Sequence, residues 1–156
     1  IVLYALRWGL GKGLIASFSF GLLQMIFDGA YAWGWQSMLL DYLVAFTLLG
    51  LGGIFRNKIE NRGAALMCGS LVALGARYVA HIASGYILFS GWAEWFFTQD
   101  GFPGWGANLV AQLSPQVLGL VYSIVYNGMY MVPELVFTAA AALLISRIHK
   151  IAVKIS

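Results

Sequence analysis

The stretch MLLDYLVAFTLLGLGGIF, residues 38–55, decides the fold class, because it is almost entirely apolar and nearly long enough to cross a lipid bilayer. A bilayer core of about 30 Å needs roughly 20 helical residues. The single charge in the stretch is Asp41. A carboxylate inside a membrane span costs roughly 2.5–3.5 kcal/mol on insertion scales. We therefore expect Asp41 to belong to a functional site, and we ask what it pairs with.

The composition of the whole chain is that of an integral membrane protein. The 156 residues are 61% hydrophobic and 10% charged, whereas soluble domains are about 45–50% apolar and about 25% charged. The net charge of +3 comes from basic residues in short loops. This pattern indicates orientation in the membrane, and we expect no nucleic-acid partner. The single cysteine, Cys68, excludes an intrachain disulfide and is predicted to be a small buried hydrophobe.

Five apolar stretches predict an all-α, polytopic membrane protein with a single transmembrane domain over residues 1–156. The stretches are residues 1–6 (the end of a helix), 10–27, 37–55, 64–89 and 117–146. The first is too short to cross a bilayer, and it starts without an initiator methionine or a basic flank. We therefore expect one more helix upstream of Ile1, which this chain lacks.

The basic residues predict how the chain is oriented in the cell membrane. They concentrate in loop 7–12, in loop 56–62 and at the C-terminus. An even number of predicted crossings separates these regions, so the positive-inside rule makes all three cytoplasmic. The opposite loops, 27–36 and 90–114, have no Lys or Arg and are rich in aromatic residues. Those aromatics predict either an interfacial belt or a lid over a pocket.

Polar residues from three predicted spans fall at a similar depth in the outer half of the membrane, given a rise of about 1.5 Å per residue. This cluster consists of Asp41, His81, Tyr122 and Asn127. It offers an anion, an imidazole, a phenol and an amide, which suits a small, flat, nitrogen-rich cation as the partner of Asp41. Aromatic faces would add roughly 0.5–2 kcal/mol each. The alternative is that His81 makes an interhelical hydrogen bond and the tyrosines pack.

Other features within the spans have structural interpretations. Arg77 and Glu134 lie deeper than the polar cluster and are predicted to form an intramembrane salt bridge. Pro133 is predicted to kink its helix, because it has no N–H to donate. Close helix packing is predicted at Gly50, Gly52, Gly53, Gly69 and Ala73.

The sequence contains none of the common catalytic or nucleotide-binding motifs. The patterns GxxxxGK[ST], HExxH and GxSxG do not occur. We therefore expect no enzymatic activity, no metal site and no bound cofactor. Energy for active transport would come from a partner or from an ion gradient.

Three segments together resemble the thiamine-specific S-component, the substrate-binding membrane subunit, of energy-coupling-factor (ECF) vitamin transporters. They are LLDYLVAFTLLGLGGIFRNK at 39–58, RYVAHIASG at 77–85 and YSIVYNGMYMVPE at 122–134. The resemblance implies a six-helix bundle of the S-component type, whose first helix is missing from this chain. It also implies capture of thiamine outside the cell. Partners would be a transmembrane coupling protein and two ATPase subunits, which would hydrolyse the ATP.

The resemblance also implies a set of substrate-binding positions. The acidic position that matches Asp41 contacts the cationic vitamin, although the family member compared has Glu there. Further pocket positions match Tyr42, His81, Tyr122, Asn127, Tyr31 and Phe20. A stacking Trp of the family appears here as Phe89, with Trp92 three residues later. The identity of the stacking ring is therefore open between Phe89, Trp92 and Trp95.

Three other functions compete with a thiamine-binding subunit. The first is an S-component for another vitamin, such as riboflavin. The second is a membrane enzyme that uses Asp41 and His81 as acid and base, which the lack of an accompanying nucleophile or metal set disfavours. The third is an autonomous ion-coupled transporter, which small size and the lack of an inverted repeat disfavour.

Overall fold

The structure, a computed structural model, describes residues 1–28 and 34–148. Within these ranges the chain forms helices and no strands. The helices are α1 (Val2–Trp8), α2 (Leu10–Phe27), α3 (Trp35–Phe55), α4 (Arg62–Phe89), α5 (Ala93–Phe97), α6 (Trp105–Gln112) and α7 (Pro115–Ser146). The prediction of an all-α fold is confirmed.

Among residues 1–28 and 34–148, four segments are long and apolar enough to cross a membrane: α2, α3, α4 continued through α5, and α7. Their most apolar windows have mean hydropathies between 1.4 and 1.9. The bundle is therefore an all-α membrane protein, as its composition predicted. Helix α7 continues as one helix through Pro133. Cys68 is half-buried in α4, so it is less enclosed than predicted.

Local sequence explains where the two longest helices begin. The Asn61 side chain accepts a hydrogen bond from the Ala64 N–H at 3.0 Å and so caps α4. The Ser114 side chain accepts from Val117 at the start of α7, and Pro115 occupies the first helical position. Both are favoured N-terminal arrangements, because the first N–H groups of a helix lack partners within it.

Helix α3 departs from regular α-helical geometry over most of its length. Residues Met38–Val44 are π-helical, and the Ala45 N–H bonds to the Leu40 carbonyl five residues earlier. Residues Leu48–Phe55 form a tighter 3₁₀-helix. Short π-helical segments are rare and occur frequently at functional sites. Here the π-helical segment carries Asp41.

The 3₁₀ half of α3 packs closely against its neighbours because it is rich in glycine. A Cβ atom at Gly50 would lie 2.6 Å from the Leu14 backbone nitrogen of α2. A Cβ atom at Gly52 would lie 3.2 Å from the carbonyl oxygen of Gly69 in α4. Close packing through small residues is typical of membrane helices, and its prediction at these glycines is confirmed. This packing fixes α3 between α2 and α4.

Candidate functional site

A cavity of about 620 Å³ lies at one end of the bundle, where α2 and α4 end and where α3 and α7 begin. Ligand sites in proteins typically measure about 300–1,000 Å³. The short segment after α4 closes one side of the cavity with the rings of Trp92, Trp95 and Phe96. The cavity is thus large enough for a small organic molecule.

Most of the predicted binding residues line this cavity. They are Asp41, Tyr42, His81, Phe89, Trp92, Tyr122 and Asn127. Phe20 is not among the lining residues, because its ring packs behind the wall against Phe46, with centroids 5.6 Å apart. Tyr31 lies outside the residues that the structure describes. Trp95, the third candidate for the stacking ring, also lines the cavity.

Ser37 and His81 both lie within hydrogen-bonding distance of the Asp41 carboxylate. The Ser37 hydroxyl donates to Oδ2 at 2.8 Å, and Nδ1 of His81 lies 3.2 Å from Oδ1. An ionised carboxylate only accepts hydrogen bonds, so His81 carries its proton on Nδ1. Asp41 thus has hydrogen-bond partners before any ligand binds, with Ser37 on its own helix and His81 on α4, and the cationic ligand stays a prediction for a further partner. Each carboxylate oxygen still retains acceptor capacity.

The other ring nitrogen of His81, Nε2, is buried and has no hydrogen-bond partner among residues 1–28 and 34–148. The ring packs edge-on against Tyr130, with centroids 5.7 Å apart. In the neutral form of the ring with its proton on Nδ1, Nε2 is an acceptor. A buried acceptor without a partner costs roughly 1–3 kcal/mol, so this nitrogen is a notable feature of the cavity wall.

Asn127 joins α7 to α4 through its side-chain amide. Its Nδ2 donates to the His81 carbonyl at 3.1 Å and to the Ser123 carbonyl at 2.8 Å. Its Oδ1 accepts from the Tyr130 hydroxyl. Both donors of the amide are therefore engaged by the protein, and the remaining capacity lies on Oδ1. The residue that sequence reasoning treated as a ligand contact also fixes the position of His81.

The aromatic residues after α4 form a packed cluster. The Phe96 ring contacts Tyr122 and Tyr126 of α7, with centroids 5.2 and 5.9 Å apart. Trp92 and Trp95 meet edge-on at 5.8 Å. Phe97 is fully buried. Trp92 and Trp95 line the cavity and are also about half exposed, so a lid and an interfacial belt both stay predictions for this loop.

Arg77 and Glu134 form the predicted salt bridge, with Nη1 and Oε1 2.5 Å apart. Arg77 also lies in the cavity wall, so although it is one helical turn deeper than His81, it belongs to the same cavity. Its guanidinium carbon lies 4.2 Å from the centroid of the Phe46 ring. The cavity therefore extends deeper along α4 than a placement by helix rise indicated.

Several lining residues were not predicted. They are Gln24, Asp28, Ser37, Phe46, Gly85, Phe96, Tyr126 and Tyr130. Three of them carried a signal in the sequence. Ser37 precedes Asp41 by four residues, which places it on the same helical face. Tyr126 and Tyr130 continue the four-residue spacing of Tyr122, but packing alone explained that spacing equally well.

The fold and the site together define an integral membrane protein with a small-molecule cavity inside its helical bundle. Residues 1–97 match the model of the Thiamine transporter protein (Thia_YuaJ) family, and the chain belongs to this family. It is also similar to the "Thiamine transporter ThiT" of Bacillus subtilis (strain 168). The two are 30% identical over 148 residues, which cover 89% of this chain and 67% of that protein. The resemblance seen in the sequence is confirmed at the level of the family.

Proposed function

We propose that this chain binds thiamine with high affinity and mediates its uptake as the substrate-specific S-component of an ECF-type ABC transporter. The observation that carries this proposal is the charge of the cavity. Glu134 pairs with Arg77, which leaves the carboxylates of Asp41 and Asp28 among the lining groups. A cavity with this balance favours a cation, and the family membership makes thiamine the first choice.

The chemistry of thiamine matches the groups around Asp41. The vitamin combines a positively charged thiazolium ring with a neutral aminopyrimidine. The amino group can donate to the free acceptor capacity of Asp41 and to Nε2 of His81, which has no partner among the described residues. The positive ring is attracted to aromatic faces, which Trp92 and Tyr126 supply in the cavity wall.

Titration calorimetry with the purified chain in detergent tests this proposal. We expect saturable binding of one thiamine per chain with a dissociation constant below micromolar. A ligand panel that includes riboflavin separates thiamine from other vitamins by thermal shift, because a bound ligand stabilises the fold by RT ln(1 + [L]/Kd). No thiamine binding at micromolar concentration would contradict the proposal, and stabilisation by riboflavin alone would favour a different vitamin.

We also propose that the cavity faces the outside of the cell. Basic residues lie at the opposite end of the bundle, where Arg7 and Lys12 lie 5.2 and 4.9 Å from the Trp8 ring. Asp28 and Glu94 lie at the cavity end. The positive-inside rule then makes the basic end cytoplasmic.

Single cysteines test this orientation once the native thiol is removed by Cys68→Ser. Asp100 and Lys58 are both exposed and lie near opposite ends of the bundle. We expect Asp100→Cys to react with an impermeant maleimide in intact cells. Lys58→Cys should react only after permeabilisation. The reverse pattern would contradict the proposed orientation.

The partners that we propose are a transmembrane coupling protein and two ATPase subunits, because the sequence carries no ATP-binding motif. Uptake of labelled thiamine tests them in cells that lack their own thiamine transport. We expect uptake when the chain is expressed together with such a module, and none when it is expressed alone. Concentrative uptake by the chain alone would instead support an autonomous ion-coupled transporter.

A further inference from the structure

Arg77 brings a full positive charge to the wall of a cavity that we propose to hold a cation. The residue is 8% exposed, and its guanidinium lies over the Phe46 ring. Its Nε atom has no hydrogen-bond partner among the residues that the structure describes. A buried charge interacts strongly over several ångströms because little water screens it. Without compensation, Arg77 would oppose a cationic ligand.

The compensating charge comes from outside the cavity. Glu134 of α7 does not line the large cavity but a smaller one of about 250 Å³ on the other side of Arg77. Its Oε1 lies 2.5 Å from Nη1 of Arg77, and its side chain is 37% exposed. The ion pair thus crosses the wall between two cavities, with the cation on the ligand side and the anion on the far side.

We propose that Glu134 determines the charge specificity of the binding cavity without touching the ligand. By neutralising Arg77 it makes the cavity accept a cation, and it leaves no free guanidinium to bind an anionic group such as a phosphate ester. Glu134 is therefore a positioning and charge-compensating residue. This inference rests on the proposed thiamine function, because it assigns a cause to the preference for the positively charged vitamin.

The test compares Glu134→Gln with the parent against three ligands of similar shape and different charge. The ligands are thiamine, an analogue with an uncharged ring in place of the thiazolium, and thiamine monophosphate. We expect the affinity of Glu134→Gln for thiamine to fall about tenfold, as one unscreened charge near the ligand implies. The uncharged analogue should change little, and the phosphate ester should bind several-fold more tightly.

Three further variants complete the test. Arg77→Gln removes the guanidinium and leaves the Glu134 carboxylate uncompensated, so we expect thiamine to bind more tightly than in the parent and thiamine monophosphate to bind more weakly. Adding Arg77→Gln to Glu134→Gln should restore the thiamine affinity that the single change lost, because no free charge remains. Glu60→Gln removes an exposed carboxylate at the far end of the bundle and should leave all three affinities unchanged.

The outcomes separate this inference from the proposed function. Loss of thiamine binding in the parent contradicts both. A parent that binds thiamine, with Glu134→Gln weakening all three ligands equally or none of them, overturns the role of Glu134 alone. If Glu134→Gln does not fold, the double variant and Arg77→Gln still give a result. If Arg77→Gln and the double variant both lose about tenfold in thiamine affinity, charge compensation by Glu134 is refuted.

Discussion

Nδ1 of His81 lies 3.2 Å from Oδ1 of Asp41, so the carboxylate of α3 and the imidazole of α4 are joined across a helix interface. Ser37 holds the other carboxylate oxygen. Both oxygens of Asp41 are thus oriented by protein donors before a ligand binds. A group fixed in this way gives up little conformational freedom on binding, and such preorganisation increases affinity.

The first prediction concerns the charge of Asp41. The change Asp41→Asn keeps the size of the side chain but removes the anion, so we expect thiamine affinity to fall by about 10- to 100-fold, or roughly 1.4–2.7 kcal/mol. An analogue with an uncharged ring should lose less. Titration calorimetry measures both ligands. Asp100→Asn, which alters an exposed loop carboxylate, serves as the control, and equal losses for both ligands would refute charge pairing by Asp41.

The second prediction concerns the ring that stacks on the ligand. A Trp face attracts a cation more strongly than a Phe face does, and of the two tryptophans Trp92 is the more enclosed, at 45% exposed against 58% for Trp95. We expect Trp92→Ala to weaken thiamine binding by about 1–2 kcal/mol and Trp95→Ala to weaken it less. Quenching of tryptophan fluorescence on titration reports the contact directly. Trp8→Ala, at the opposite end of the bundle, is the control, and a larger loss in Phe89→Ala would assign stacking to that ring instead.

The third prediction concerns the amide that joins α4 to α7. The change Asn127→Leu keeps similar bulk but removes the bonds to the His81 carbonyl and the Tyr130 hydroxyl. Because the Tyr130 hydroxyl loses its acceptor and the bond between α4 and α7 is lost, we expect unfolding to become easier by about 1–2 kcal/mol. Thiamine binding should weaken as well, since His81 loses its support. Thermal denaturation with and without ligand measures both effects.

The matched control for Asn127 is Asn108→Leu, which replaces an exposed asparagine of α6. It should leave both stability and binding close to those of the parent. A stable Asn127→Leu variant with weakened binding would show that this amide acts on the ligand and contributes nothing to the helix interface.

The fourth prediction concerns the glycine-rich half of α3. A Cβ atom at Gly50 would meet the backbone of Gly13 and Leu14, which cannot move aside as a side chain could. We expect Gly50→Ala to destabilise the bundle by about 1–3 kcal/mol. Gly75→Ala is the control, because a Cβ at that helical position meets nothing within 4 Å. It should be neutral or stabilising by up to about 1 kcal/mol. Equal melting temperatures in detergent would contradict the packing argument.

The sequence predicted the convergence of Asp41, His81 and Tyr122 because membrane spans restrict both direction and depth. A charge pattern orients the helices, and the rise per residue then sets the level of each side chain. Depth alone could not place Arg77, since the cavity extends over more than one turn of α4. It also could not separate Phe20 from the lining residues, because that distinction depends on the rotation of α2.

Two features of the site depend on contacts between helices that are distant in the sequence, and no local sequence pattern encodes them. The hydrogen bond from Asn127 to the His81 carbonyl requires one particular rotation of α7 about its axis relative to α4. The π-helical segment of α3 has no known signature in its residues, which would also fit an α-helix. Tertiary packing selects both arrangements, so periodicity and composition could not predict them.

The π-helical segment Met38–Val44 sets how far the first part of α3 is rotated about the helix axis relative to the second part. Deleting one residue between Asp41 and Ala45 would turn the preceding part of α3 by about 100° about the helix axis, the angle per residue of an α-helix. Asp41 and Ser37 would swing away from His81, while Gly50 and Gly52 would keep their contacts. In α3 the π-helical segment therefore separates the part that faces the cavity from the part that packs against α2 and α4. Sequence changes before this segment can alter which ligand binds without disturbing the helix packing after it.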